Sequence, residues 1–367
     1  MSIYLFNIFV TFIFGVIVTN NSGSKFLNGR TQVNGKKFMG AFFILLSWVL
    51  VYSLRGSVGS DTLVYRSSYE SIGWFGQSLD EFVGQQRDIL FSYIQYFSYK
   101  IFDGSWSGFL SVSALLTYVP VIAVLAKRSS YFLTSVLLFI FTLNFYFGFN
   151  GMRQAIAISI TFYAYYELLK EKKYIKYFFA IALAFGFHST AVFVLPFHFL
   201  SLKPLKSLTI KITTAGLLFS FVFLWNVWDL LIVFFDNIGQ SKLASDYANV
   251  AANGSGLLRV FVFILPIIIG YIYHNQISDK YGSIDSELIL MGIAAIFMLF
   301  STKYWIFSRI ALYFSIVTIL FVPKLEVIFD DNSKRPGMIM ILVLYFAYMV
   351  MLLLYGEGGY YPYTFVS

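Results

Sequence analysis

Cysteine is absent from the 367 residues, which excludes disulfides, thiolate metal sites and thiol nucleophiles. Charge is almost as scarce. Charged side chains make up 12% of the chain against 59% hydrophobic, and the mean hydropathy is +0.75. That balance excludes an ordinary soluble domain. No G-x-x-x-x-G-K-[ST] run is present, so a nucleotide-driven motor has no phosphate loop to work with. There is no H-E-x-x-H either, and hence no zinc signature. The net charge of +8 comes without an aromatic-interleaved basic stripe, which argues against nucleic acid as a partner. In so apolar a chain, basic residues serve as loop anchors.

What is present is a series of apolar runs, at 2–19, 38–54, 107–126, 131–149, 152–169, 174–188, 190–202, 209–230, 257–274, 286–302, 304–322 and 338–355. About 20 helical residues cross a hydrocarbon core. The fold class read from them is all-α: a polytopic integral membrane protein of about 11–13 transmembrane helices, with residues 1–367 forming a single integral membrane domain. A β-barrel is excluded because the runs are continuous rather than alternating. The first run lacks a basic n-region and a small-residue cleavage site, so it reads as a retained span. The runs 174–188 and 190–202 are short, and read either as two spans or as one bent helix.

Lysine and arginine set the orientation. Distributed over alternate loops, 17 of the 26 fall on one face, which the positive-inside rule makes cytoplasmic. Both termini then lie outside, as does the main extracytoplasmic loop, 55–106. That loop holds a Gly/Ser-rich turn at 56–60, a helix beginning after Asp61, and an amphipathic stretch at 88–102. In that stretch Ile89, Leu90, Tyr93, Ile94, Phe97 and Ile101 recur at helical spacing, giving an apolar face suited to the outer interface. A second extracytoplasmic loop, 231–256, reads either as a lid or as a plain connection. Arg55, Asp61, Arg87, Asp88, Arg153, His188 and Arg309 all fall at or just inside the outer mouths of spans. Ionisable groups at such depths are costly, so they are candidates for function.

Each candidate has a bland alternative. Arg55 reads as a snorkelling anchor or as an anion ligand. Asp61 reads as the cap of the helix starting at Thr62 or as a working carboxylate with Tyr65 one turn on. Arg153-Gln154 opens an apolar span. A cation there opposes the helix dipole unless an anion is bound, and helix N-termini bind phosphate. His188 is an interhelical hydrogen-bonder or a general base, whereas His198 and His274 lie towards the cytoplasmic face. Arg309, four residues before Tyr313, needs a partner or a water-filled cavity. The outer Trp74, Trp106, Trp305, Tyr360, Tyr361 and Tyr363 read as interfacial belt residues. No outer Asp-x-Asp pair is available for a divalent metal, since Asp330-Asp331 is cytoplasmic, so arginines must hold any phosphate.

The ordered set Arg55-Gly56-x-x-Gly59-x-Asp61-Thr62-x-x-Tyr65, Asn150-x-x-Arg153-Gln154-x-Ile156-Ala157 and Phe187-His188-Ser189-Thr190-Ala191, with Arg309, Tyr313 and Pro362-Tyr363, resembles the EpsG family of bacterial membrane proteins, which belongs with Wzy-type polysaccharide polymerases. One departure concerns the glutamate that the family tends to carry before the amphipathic outer helix. Here Arg87-Asp88-Ile89 stands, and no role is carried onto Asp88. The resemblance implies an inner-membrane glycosyltransferase that polymerises undecaprenyl-diphosphate-linked repeat units on the outer face, making O-antigen, capsule or exopolysaccharide. It implies a lipid-linked glycan donor and acceptor, the lipid bilayer and a chain-length regulator protein as partners, with no cofactor and no metal. On this reading Arg55, Arg153, Gln154 and Arg309 hold the diphosphate. His188 is the first choice of base and Asp61 the second, with Tyr65 orienting one of them. A flippase for the lipid-linked repeat, an O-antigen ligase and a membrane O-acyltransferase are the alternatives.

Overall fold

The computed structural model describes residues 1–20, 26–27, 30–31, 33–86, 88–237 and 256–366. Helix dominates, accompanied by a two-residue antiparallel ladder of Phe26–Leu27 on Arg30–Thr31. Four helical stretches are long and apolar enough to cross a membrane: Gly35–Ser53, Trp106–Arg128, Ile306–Ile328 and Lys334–Leu354. Two bent pairs, Phe132–Phe141 with Asn144–Asn150 and Leu257–Ile272 with His274–Tyr281, raise the number to six if each pair is one span. The all-α polytopic class is as expected. About 11–13 transmembrane helices are expected from the apolar runs; among the described residues four to six helical stretches are long and apolar enough to cross alone, four further apolar helices are shorter, and several of the runs bend or change helix type. The run 131–149 bends by 41° next to Leu143, whose φ of 63° is left-handed. The run 152–169 is an α-helix only to Tyr163 and continues as a π-helix, Ala164–Leu169. The runs 174–188 and 190–202 are separated at His188, where the backbone is extended.

The chain divides into two compact units, Met1–Val192 with Val322–Ser367, and Phe193–Phe321. The first holds α1 (Ser2–Asn20), α2 (Gly35–Ser53), α3 (Thr62–Trp74), α4 (Leu79–Gly84), α5 (Ile89–Ile101), α6 (Trp106–Arg128), α7 (Phe132–Phe141), α8 (Asn144–Asn150), α9 (Met152–Tyr163), α10 (Tyr174–Phe187) and the helix Lys334–Leu354. Side chains start several of them. Asn34 caps α2 by accepting from the Lys37 N–H at 2.9 Å, Ser78 and Glu81 form a capping box on α4, and Ser105 caps α6. Aromatic rings then lock α2, α6, α7 and α8. Trp48 stacks on Phe139 with centroids 5.0 Å apart, and Tyr118 on Phe145 at 5.1 Å. Their polar tips are spent internally: Tyr52 donates to the Gly148 carbonyl at 2.8 Å and Tyr118 to that of Phe145 at 2.9 Å. Buried tyrosine needs such acceptors, and these two fix the segment that leads into α9.

The amphipathic stretch 88–102 contains α5, and its polarity is inverted relative to a soluble helix. Ser92, Gln95 and Ser98 are buried against the protein, whereas Ile89, Phe97 and Ile101 are exposed. An outward apolar face suits a helix lying in a lipid interface.

The second unit contains α11 (Val194–Leu200), α12 (Leu208–Asn237) and the helices Leu257–Ile272, His274–Tyr281, Asp285–Ser301 and Ile306–Ser315. Phe197, Phe297 and Phe314 pack together in it. Asp285 accepts from the Leu205 N–H at 3.1 Å and lies 2.6 Å from His274 Nε2. Most of the loop 231–256, residues 238–255, lies outside the described residues, and with it the lid reading.

Candidate functional site

The Gly/Ser turn after α2 is clamped from both sides within the first unit. On one side is the C-terminal tail. Gly56 N–H donates to Thr364 at 2.7 Å, Gly59 N–H to Gly359 at 2.9 Å, and Val366 N–H to Leu54 at 2.9 Å. Tyr363 also donates to the Val51 carbonyl at 2.8 Å. Tyr360 is buried, so two residues expected in a lipid belt pack inward instead. On the other side Asn150 Oδ1 accepts from Ser60 Oγ at 2.8 Å and from the Asp61 N–H at 3.0 Å. Gly59 makes this approach possible. Its φ is +98°, and a Cβ there would stand 2.5 Å from the Phe149 carbonyl oxygen. Gly59→Ala is expected to cost about 1–3 kcal/mol for the strained backbone, read as a lowered melting temperature of the detergent-solubilised protein. An unchanged melting temperature would mean that the turn does not need glycine.

Arg55 is fully buried. Its Nη1 donates to the Tyr52 carbonyl at 3.2 Å and its Nη2 to that of Phe149 at 3.3 Å. Its guanidinium carbon lies 4.0 Å from the Tyr52 ring centre and 4.8 Å from that of Phe149. Ring faces stabilise a desolvated guanidinium by about 2 kcal/mol or more. Neither a snorkelling anchor nor an open anion ligand describes this placement. The side chain is sealed from solvent and grips the chain just ahead of α9.

At the first turn of α9 three ionisable groups from three elements converge. Arg153 Nη1 lies 2.6 Å from Asp88 Oδ2, and His188 Nδ1 lies 3.7 Å from the same oxygen. The first is a charge-assisted hydrogen bond, and the second exceeds hydrogen-bond length. The Tyr65 ring lies beside the guanidinium, 5.5 Å from Arg153 Cζ, and Gln95 Nε2 donates to the Tyr65 carbonyl at 3.4 Å. Asp88 occupies the N-cap position of α5 but makes no side-chain cap hydrogen bond, so its carboxylate is committed to Arg153. Asp61, at the corresponding position of α3, makes none either. The capping alternative for Asp61 therefore does not hold. His188 ends α10 with extended backbone, φ −157° and ψ 119°, which turns its ring out of the helix. Arg153 Nε and His188 Nδ1 are buried atoms without a hydrogen-bond partner.

Burial alone would raise the Asp88 pKa. The adjoining His188 and Arg153 outweigh it and hold the carboxyl below its ordinary value. The sign of the linkage follows. A depressed folded-state value contributes stability above the unfolded value of about 3.9, and that stability is lost as pH falls through the lower folded value. The melting temperature of the wild type is therefore expected to exceed that of Asp88→Asn at neutral pH, the gap closing only below about pH 4. A gap that closed near neutrality would contradict the ion pair.

Gln154 is buried beside Arg153, and Ser60 Oγ lies 3.2 Å from Asp61 Oδ1. Arg309 belongs to the second unit, its guanidinium carbon 4.9 Å from the Trp305 ring centre. Arg87 lies outside the described residues. Of the residues expected at the site, Arg153, His188 and Tyr65 are thus brought together directly. Asp61 is tied to the residue that begins the same turn, and Arg55 supports that segment from within. Sequence reasoning left Asp88 without a role and did not single out Gln95. Among the described residues, no group of three or more His, Asp or Glu is placed to hold a metal ion.

The sequence model of one family, the EpsG family, matches residues 38–365. No curated protein and no solved structure matches the chain.

Proposed function

The chain belongs to the EpsG family, a Wzy-like polysaccharide polymerase family, and from that membership we propose that it polymerises oligosaccharide repeat units carried on undecaprenyl diphosphate, at the outer face of the bacterial inner membrane. The observation that carries the proposal is the convergence of Arg153, Asp88 and His188 at the first turn of α9. The outer-face assignment rests on the excess of basic residues on the opposite face.

In the proposed reaction the hydroxyl oxygen of an acceptor repeat forms a bond to the anomeric carbon of the donor glycan. The bond from that carbon to the diphosphate oxygen breaks, and its electron pair leaves with undecaprenyl diphosphate. Arg153 meets the growing negative charge with a planar pair of donors, helped by the N-terminus of α9, and Gln154 lines the same turn. Charge stabilisation of this kind is usually the largest single contribution to rate. The acceptor proton passes to His188, with Asp61 as the second choice and Tyr65 as the orienting group. Arg55, sealed among rings and carbonyls, holds the segment before α9 rather than the substrate. Arg309 is proposed for a phosphate contact on the sequence argument alone. A chain-length regulator is a proposed partner.

The test is to incubate purified protein with lipid-linked repeat units and resolve the products by size. A ladder spaced by one repeat is expected. Transfer of glycan to lipid A core instead would identify a ligase. Movement of the repeat across vesicle membranes without a ladder would identify a transporter.

A further inference from the structure

Asp88 stands between the two halves of the proposed chemistry, and its contacts with them are unequal. One oxygen, Oδ2, is 2.6 Å from Arg153 Nη1 and 3.7 Å from His188 Nδ1. Two nitrogens beside it are idle: Arg153 Nε and His188 Nδ1 are buried without hydrogen-bond partners. Unpartnered buried polar atoms are costly, and these two point to a second arrangement in which both are used, with the His188 proton on Nδ1. A carboxylate on Arg153 also occupies the guanidinium that a diphosphate would need.

We propose that Asp88 is an exchangeable positioning residue. Before a diphosphate binds it holds Arg153. When a diphosphate takes the guanidinium, the carboxylate is handed to His188, orienting the imidazole for the acceptor hydroxyl. The shift required is roughly 1 Å, from the present separation to hydrogen-bond length. The groups facing Asp88 are Arg153 from α9, with Tyr65 of α3 beside it, and His188 at the end of α10. The exchange makes acceptor activation conditional on donor binding, because the base is correctly held only after the diphosphate has arrived. This rests on the polymerase reading above.

Exchange and simple scaffolding predict opposite signs for Asp88→Asn. A scaffold residue, once weakened, loosens Arg153 and weakens anion binding. A competitor, once neutralised, frees Arg153 and strengthens it. Inorganic pyrophosphate is the probe, titrated calorimetrically into the detergent-solubilised full chain, with Arg153→Ala as the control for location. Asp88→Asn is expected to bind pyrophosphate at least about tenfold more tightly, since one nearby negative charge is removed. In the polymerisation assay the same variant is expected to show a lower KM for the donor together with a lower kcat. The chain has three histidines, so its nitrogen-15 histidine spectrum is small, and His188→Gln assigns the relevant signal. Pyrophosphate is expected to move the His188 Nδ1 signal in the wild type and to leave it in place in Asp88→Asn. Weaker or equal pyrophosphate binding by Asp88→Asn, or a His188 signal that responds equally in both proteins, overturns the exchange and leaves the polymerase reading standing. Pyrophosphate binding that does not depend on Arg153 removes the diphosphate assignment as well.

Discussion

Arg153→Ala is expected to abolish ladder formation, lowering the polymerisation rate by about 10²–10³-fold, as for loss of a preorganised donor to a developing anion. Arg153 is the second residue of α9, after Gly151 in the cap position, where a fixed positive charge opposes the dipole. A chain selected only for stability would place a carboxylate there. Asp88 meets that need at 2.6 Å, but a substrate diphosphate would meet it better, with two charges and bidentate geometry. Arg153→Lys keeps the charge and loses the planar fork, so an intermediate loss is expected. Arg153→Ala also strands a carboxylate that is 8% exposed, and an unpaired buried charge destabilises the fold by itself. The double variant Asp88→Asn with Arg153→Ala removes that complication. If the double variant inserts and melts normally yet still makes no polymer, the loss belongs to catalysis. Full rate and chain length in normally inserted Arg153→Ala would refute the diphosphate assignment.

Much of this site is legible in the sequence, because ionisable residues are conspicuous in a chain with so few of them. Arg153 and His188 stand out in apolar surroundings, and Asp61 with Tyr65 follows a Gly/Ser turn. Their one-sided placement comes from loop charge alone. The pairing with Asp88 is not legible, because that contact spans 65 positions of sequence and depends on how α5 docks beside α9 and α10. The burial of Arg55 is not legible for a related reason. Its position at the end of α2 suggests an interface, whereas the C-terminal tail, more than 300 residues later, folds back over the turn and seals it. The bends within the runs are not legible, because hydropathy measures the length of an apolar run and not the continuity of its helix. Leu143, with its left-handed φ, breaks a run without any Gly or Pro to announce it. The helicity and the inverted polarity of α5, by contrast, follow from periodicity, which needs no tertiary information.

His188→Ala is expected to lower kcat by about 10²–10⁴-fold, the range for loss of a positioned general base, with little change in the KM for the donor. The separation of the two parameters follows from geometry. In the proposed reaction Arg153 carries the contact to the diphosphate, while the His188 ring, at the extended residue that ends α10, is a separate neighbour of Asp88. Removing the ring leaves the backbone unstrained, since any residue adopts that extended conformation. The variant should therefore insert and fold. It also opens a space the size of the lost ring beside the Asp88 carboxylate, so added imidazole is expected to restore part of the rate. A rescued rate that rises with the basicity of substituted imidazoles marks proton transfer, whereas a packing or structural role predicts no such dependence. Asp61→Asn is the discriminating comparison. Asp61, on the turn that Asn150 holds, is the second candidate for the same proton. If Asp61→Asn loses the rate while His188→Ala retains it, the base is Asp61, and the imidazole serves only to balance the charge of Asp88. Loss in His188→Ala with imidazole rescue, beside a mild effect of Asp61→Asn, places the proton on His188 and leaves Asp61 to shape the turn that Asn150 holds.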